Sequence, residues 1–379
     1  MNVQTPLQLL GGISPEQFMR QYWQKKPLLI RAALPGMQPL VPRDALFALA
    51  ADEAVESRLV EQKKGLWKFS HGPIGAGAGT GDAKATPVPP LKRKDWTLLV
   101  QGVDLHHDGV HALLQQFRFV PDARLDDLMI SYASAGGGVG PHFDSYDVFL
   151  LQAAGRRRWR IGAQKDLSLR DDVPLKILAH FKPTQEFDLS PGDMLYLPPR
   201  YAHDGVALDN DCQTYSIGFR APSTEELARE LMHRVVDELE DESLYTDRAQ
   251  LATAQPAEIP AALGDFATQA VVKALADKTL MQQILGEYLT EPKDKVWFKT
   301  GKAPKKPAAV RLDRASRMMY DEKHVYLNGD SWKVAGKDAK LLRKLADNRS
   351  LTAIEVGASS AQLQSALGQF IEQGWLHAE

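Results

Sequence analysis

Cysteine is almost missing from this 379-residue chain, where Cys212 stands alone. A single thiol cannot close an intramolecular disulfide, so a disulfide-built secreted scaffold is excluded and a reducing cytoplasm is the expected setting. Long apolar runs are missing too. None approaches the roughly 18 residues that a membrane span needs, so no membrane partner is expected. The opening Met-Asn-Val-Gln-Thr-Pro lacks a basic stretch leading into an apolar one, and no signal peptide is read from it. Charge of one sign is also lacking overall, since the net value is −2. The alternating glycines of residues 71–81 lack a Gly-Lys-Ser/Thr ending, which rules out a phosphate loop. They read as a flexible hairpin tip.

What remains is an ordinary globular composition, 44% hydrophobic and 25% charged, on a chain long enough for two or three domains. The neutral total hides a segmental pattern. Residues 225–300 carry a net charge of −7 and residues 301–379 a net of +4. An acidic middle is either a solvated helical face or a docking surface for a basic partner.

The texture changes along the chain. Ser14-Pro-Glu-Gln-Phe signals a capped helix, Lys26-Pro-Leu-Leu-Ile-Arg a strand entry, and Pro42–Ala50 another helix. From Trp96 to Phe219, short β segments alternate with turn residues: 97–101, 128–132, 147–152, 158–162, 193–198 and 214–219. That pattern predicts a sandwich or barrel. From Ser223 the spacing turns helical, with Leu227, Leu231, Val235 and Leu239 on one stripe. A second helix is expected over about 265–288. Gly301-Lys-Ala-Pro-Lys-Lys-Pro reads as a linker. A hairpin at Asn328-Gly329 follows, then helices over 339–346 and 360–373, an order that suggests a small winged-helix-like domain. No basic stripe lies on 360–373, so nucleic acid is not an expected partner.

The chemistry concentrates in a split triplet: His142-Phe-Asp144, and His203 after the aspartate by 59 residues. Two imidazoles and a carboxylate are the facial set that holds non-haem Fe(II) and leaves other positions open, although Mn or Zn can use the same ligands. On a strand, positions i and i+2 share a face, so His142 and Asp144 can reach one ion. His203 follows Pro191-Gly-Asp-Met-Leu-Tyr-Leu-Pro-Pro, a turn and a short strand stopped by two prolines. The glycines of Ala135-Gly-Gly-Gly-Val-Gly-Pro141 permit close backbone approach beside the motif. Ligands on facing strands of a jelly roll would make a cupin arrangement. Cys212 is either a spare ligand or, in the plainer view, a strand-flanking core residue.

The run Gly136-Gly-Gly-Val-Gly-Pro-His142-Phe-Asp144-Ser-Tyr-Asp-Val-Phe-Leu-Leu-Gln-Ala-Ala-Gly-Arg-Arg157-Arg-Trp-Arg resembles the bacterial JmjC-type ribosomal oxygenases. Gly192-Asp-Met-Leu-Tyr-Leu-Pro-Pro and Tyr215-Ser-Ile-Gly-Phe-Arg-Ala-Pro222 extend the resemblance, which covers essentially the whole chain. It implies a mainly β fold: a double-stranded β-helix (cupin/JmjC jelly roll) over 1–222, a helical dimerisation segment over 223–300 and a winged-helix-like domain over 301–379. It implies Fe(II) on His142, Asp144 and His203, with no catalytic residue beyond that triad, and 2-oxoglutarate and dioxygen as co-substrates. Arg157 would pair with the distal carboxylate of 2-oxoglutarate, with Ser131 as a hydrogen-bonding neighbour. The bland alternative for Gly-Arg-Arg-Arg-Trp is a solvated basic turn, and Arg160 is a second candidate for the clamp. The implied reaction is hydroxylation of an arginine side chain in a large-subunit ribosomal protein, the sixteenth of its series, by a cytoplasmic homodimer.

Two other functions share these features. A JmjC lysine demethylase would use the same cofactors on methyl-lysine. A non-catalytic metal-cupin regulator fused to a winged helix would need no co-substrate clamp, and Arg157 argues against it.

Overall fold

The computed structural model describes residues 2–63, 65–75, 86–240 and 243–379. Residues 76–81 of the glycine-rich stretch expected to be a hairpin tip lie outside them. The chain divides into two compact units, Met1–Ala221 and Pro222–Glu379.

The first unit opens with helix α1 (Pro15–Gln21), strand β1 (Leu28–Ile30) and helix α2 (Arg43–Ala50). The Ser14 hydroxyl accepts from the Gln17 amide and caps α1, with Pro15 at the first helical position. Strands β2 (Ser57–Lys63), β3 (Leu66–His71) and β4 (Trp96–Val100) follow, then α3 (Asp108–Gln115). The remaining strands are β5 (Leu125–Ala133), β6 (Val148–Ala154), β7 (Arg157–Gly162), β8 (Gln185–Leu189), β9 (Met194–Leu197), β10 (Ala202–Ala207) and β11 (Cys212–Phe219). They form an eight-stranded antiparallel sheet in the order β1-β9-β6-β11-β5-β4-β2-β3 and a three-stranded sheet β10-β7-β8.

Strand alternation explains how the two sheets close on each other. On β6, Phe149 and Leu151 join a core shared with Phe18, Leu46 and Leu113 of the helices. Val148 and Leu150 point the other way, into a second core with Trp159 and Ile161 of β7 and Leu189 of β8. A strand covered on both faces reads as the continuous run Val-Phe-Leu-Leu, as this one does. The fold is the double-stranded β-helix with its interior between the small sheet and the inner face of the large one. Each short β segment expected between Trp96 and Phe219 is matched by a strand, whereas the strand expected to carry His142 and Asp144 is not formed. Strands β2, β3, β8 and β10 were not expected in the first unit; each carries charged or polar side chains in mid-strand, as in Ser57-Arg-Leu-Val-Glu-Gln-Lys63.

The second unit begins with α4 (Thr224–Asp237), capped reciprocally by Ser223 and Glu226. The single helix expected over 265–288 is two, α5 (Ala261–Ala274) and α6 (Lys278–Thr290), because Asp277 caps a fresh start by accepting from the amides of Thr279 and Leu280. Strands β12 (Val310–Leu312), β13 (Met318–Tyr320), β14 (His324–Leu327) and β15 (Asp330–Lys333) come next. The order then runs α7 (Gly336–Asn348), β16 (Ser350–Leu351), α8 (Ala353–Gly357), α9 (Ala361–Glu372) and β17 (Leu376–Ala378). Asn328 and Gly329 turn the β14–β15 hairpin with φ of 52° and 95°. Helix α6 packs on this hairpin: a Cβ on Gly286 would lie 2.3 Å from the Tyr326 ring. It therefore shares the body of the winged helix, although it precedes the Gly301 stretch in sequence.

Candidate metal centre

His142 and Asp144 do not lie on a strand. They sit in the connection between β5 and β6, and only the His142 backbone is paired, as an isolated bridge to His203. The His142 amide donates to the His203 carbonyl at 2.9 Å, and the His203 amide donates back to the His142 carbonyl at 2.8 Å. A reciprocal antiparallel pair puts both side chains on one face, and the rings stand 4.2 Å apart. His203 does not end the strand before it either. Pro198 and Pro199 stop β9, Arg200 turns in the left-handed region at φ 62°, and His203 is the second residue of the new strand β10. The Arg200 amide donates to the Asp144 carbonyl at 2.7 Å, which holds the two halves of the motif together.

Glycines make this approach possible. A Cβ on Gly137 would meet the Trp96 carbonyl oxygen at 2.2 Å, and one on Gly138 the Gly205 carbonyl oxygen at 2.6 Å. The glycine run can thus lie flat along β4 and β10. Downstream, buried Asp147 accepts from the Tyr196 hydroxyl at 2.6 Å and from the Gln24 side-chain Nε2 at 3.0 Å, which ties down the far end of the loop.

Backbone carbonyls orient both rings. Nδ1 of His142 bonds to the Gly140 carbonyl at 2.8 Å, and Nδ1 of His203 to the Tyr201 carbonyl at 2.9 Å. A carbonyl can only accept, so each Nδ1 carries the proton and each Nε2 presents its lone pair. His203 Nε2 lies 3.6 Å from Asp144 Oδ2. The three donor groups fall within 4.8 Å of one another, a spacing one ion could bridge. Burial, with the neighbouring His142, lowers the His203 pKa to about 4 against the opposing pull of Asp144. The ring is therefore neutral at physiological pH. Two imidazoles and one carboxylate suit a divalent cation and leave part of its coordination sphere open.

The arginine run is sorted by strand alternation. Arg156 pairs with Asp209 at 3.3 Å, Arg158 with Asp188 at 2.7 Å, and Arg160 with Asp204. Arg157 shares the inner face of β7 with Trp159 and Ile161, so it is neither a solvated turn residue nor interchangeable with Arg160. Only 4% of Arg157 is exposed. Its Nη1 donates to the Gly205 carbonyl at 3.3 Å, while Nε and Nη2 are buried with no partner among the described residues. The guanidinium lies 5.8 Å from the Trp159 ring, which in turn is 5.8 Å from the His203 ring. A buried cation with two idle donors is a costly arrangement unless an anion fills it. A planar fork of this kind fits a carboxylate.

Ser131 lies buried on β5, pointing away from the core that Ile130 and Tyr132 enter. Its hydroxyl donates to the Thr214 carbonyl at 3.3 Å, and no hydrogen bond links it to Arg157 among the described residues. Cys212 is buried against Gln152 and takes no part in the His-Asp-His cluster. Gly205 and Trp159 were not singled out from the sequence. In register they face each other across β10 and β7, and a Cβ on Gly205 would strike the indole at 2.5 Å. The carbonyls of Gly140 and Tyr201 leave no trace in a sequence at all.

Residues 112–227 match the JmjC domain family and residues 273–377 the ROXA-like winged helix. The chain is 33% identical to the ribosomal protein uL16 3-hydroxylase of Escherichia coli (strain K12), over 90% of each protein. It belongs to the ribosomal oxygenase family. A probable ribosomal oxygenase of Haemophilus influenzae is 31% identical, over 89% of this chain and 87% of its own. Among solved structures, the X-ray structure of E. coli YcfD superposes on this ribosomal oxygenase with a TM-score of 0.82 at 31% identity, covering 96% of this chain and 98% of that one. YcfD in complex with cobalt and 2-oxoglutarate superposes with a TM-score of 0.78 at 30% identity, over 96% and 98%.

Proposed function

We propose that this ribosomal oxygenase is an Fe(II)- and 2-oxoglutarate-dependent hydroxylase, acting on an arginine side chain of a large-subunit ribosomal protein. The observation that carries the co-substrate is Arg157, a buried guanidinium with two unpartnered nitrogens on the same face of the small sheet as His203. Structural ion pairs account for its three neighbours and leave this one without an anion. A non-catalytic metal-binding regulator gives no reason to retain such a charge.

In this assignment His142, Asp144 and His203 hold the metal. The carbonyls of Gly140 and Tyr201 keep the imidazole lone pairs turned towards it, and Asp144 supplies the negative charge that favours a divalent ion. The bound iron and keto acid supply the oxygen activation that hydroxylates an unactivated carbon. Arg157 takes the distal carboxylate of 2-oxoglutarate through its free fork, and Ser131 is assigned as a further contact to it. Trp159 and the bare backbone of Gly205 give that end of the interior a dry wall. An apolar, water-poor surround strengthens the ion pair that Arg157 forms.

The arginine target and the identity of the ribosomal protein follow the family resemblance. They are tested by mass spectrometry of ribosomal proteins from cells with and without the gene. A gain of about 16 Da, one oxygen atom, on an arginine present only with the gene is the expected result. The same gain on another residue type would displace the arginine assignment. We also propose a homodimer built on 223–300 and a cytoplasmic location. Leu231 and Val235 are taken up inside the subunit, packed with Ala274 and Ile284. The contact is therefore assigned to apolar side chains left at the surface of α4 and α5, among them Met232, Val236 and Val272.

A further inference from the structure

Between α6 and β12 the chain runs through Pro292-Lys-Asp-Lys-Val-Trp297-Phe-Lys299-Thr-Gly-Lys302-Ala-Pro-Lys305-Lys306-Pro307. Six lysines stand here against one aspartate. The sequence suggests a plain linker over 301–309, but the structure straps the segment from Phe298 to Gly301 to the end of α9. Phe298 turns inward and meets Trp375 edge-on at 6.5 Å, and Trp375 stacks on Phe370 of the winged-helix core. The Gly301 amide donates to the Ile371 and Glu372 carbonyls at 3.2 and 3.3 Å, in the last turn of the helix. The approach is tight enough to need glycine on both sides. A Cβ on Gly301 would sit 2.5 Å from the Ile371 oxygen, and one on Gly374, whose φ is +78°, 2.2 Å from the Lys299 oxygen.

With Phe298 anchored, its neighbours face solvent. Trp297 is 86% exposed, and Lys299, Lys302, Lys305 and Lys306 are exposed along the same strap. Burying an indole is favourable, so a partner that covers Trp297 gains from doing so. Pro304 and Pro307 add stiffness to the lysine-bearing part. A flat aromatic face followed by a row of cations matches the chemistry of a single nucleic acid strand. The base stacks on the ring, and successive phosphates meet the ammonium groups. Helix α9 itself carries no lysine or arginine, so this is not groove reading by a recognition helix.

We propose that the Trp297 strap is a docking site for single-stranded RNA. The site itself is argued from the strap alone. The choice of RNA over DNA rests on the proposed ribosomal substrate, whose surroundings are RNA.

The test is fluorescence anisotropy of a labelled single-stranded RNA of about twelve nucleotides, within the usual site-size range, titrated with the full chain. Four neutralised phosphates predict a log–log salt slope of about −3. Trp297→Ala should weaken binding roughly five- to hundredfold, and Trp297→Phe should restore most of it. Replacing Lys299, Lys302, Lys305 and Lys306 together by glutamine should flatten the slope. Thermal melting checks that each variant is folded. Absence of salt-dependent binding at tens of micromolar protein would overturn the site. So would Trp297→Ala binding like the parent chain, or a changed oligomeric state of that variant by light scattering, which would make the indole a protein contact. Equal affinity for single-stranded DNA would overturn the choice of RNA. Hydroxylation is not measured here, so loss of RNA binding and loss of the hydroxylase assignment stay distinguishable.

Discussion

Arg157→Met separates a co-substrate clamp from a structural arginine, because the two roles move stability in opposite directions. In the co-substrate-free protein the guanidinium holds its charge at 4% exposure with Nε and Nη2 unpartnered. Leaving a buried donor unsatisfied costs about 1–3 kcal/mol, and more when it is charged. Methionine fills a similar volume with no donor, and replacing buried ionic groups by packed apolar side chains is often neutral or stabilising by about 1–4 kcal/mol. The variant lacking co-substrate should therefore melt at or above the parent temperature. The same change removes one partner of the ion pair with 2-oxoglutarate, a loss of about 2–5 kcal/mol, or roughly thirty-fold to several-thousand-fold in affinity. Arg157→Lys keeps the charge and loses the fork, so its affinity should fall between the two. Anaerobic calorimetry of 2-oxoglutarate binding to the metal-loaded protein, together with melting of the protein alone, reads both effects. A Met variant that binds 2-oxoglutarate within threefold of the parent, or one that melts well below it, would refute the argument.

Other outcomes follow from the same geometry. His203→Ala removes one of three donors and should abolish both stoichiometric metal by atomic emission and 2-oxoglutarate turnover; retained metal would show that the cluster is not the site. Gly205→Ala puts a methyl 2.5 Å from the Trp159 indole and should destabilise by about 1–3 kcal/mol in urea titration, and an unchanged midpoint would show that the ring yields freely. His203 titrates near pH 4 when folded and near 6.5 when unfolded, so the unfolded chain binds the extra proton between those values. Stability of the metal-free protein should then fall by roughly 2 kcal/mol from pH 7 to 5, and His203→Gln should lose less over that interval. For the homodimer, Met232 and Val236, which are 45% and 59% exposed, are the positions to charge, since Val235 belongs to the subunit core. Light scattering should report a dimer for the parent chain and a monomer for that double variant, and a monomeric parent would remove the proposal.

The order of the strands was legible where each one alternates or runs apolar between turn residues, as in Val148–Ala154. It was not legible where half the positions are polar. Strand β10, Ala-His-Asp-Gly-Val-Ala, looks like the tail of the strand before it until its pairing with β7 is known. The helical stripe over Leu227, Leu231 and Val235 was visible as a stripe, but a period carries no information about what covers it. Here Ala274 and Ile284 of the same chain cover its centre.

By itself the sequence determined the local His142-Phe-Asp144 motif, the glycines that let the loop lie flat, the capped helices and the Asn-Gly hairpin. All of these depend on residues within a few positions of one another, where sterics and local hydrogen bonds decide. The tertiary structure alone decided that His142 meets His203 through a reciprocal backbone bridge, and that carbonyls fix the protons on both rings. It also decided which arginine is buried without a carboxylate among the described residues. Arg156, Arg157, Arg158 and Arg160 are chemically alike, and only the carboxylates brought to three of them by distant segments leave the fourth with an empty place for an anion.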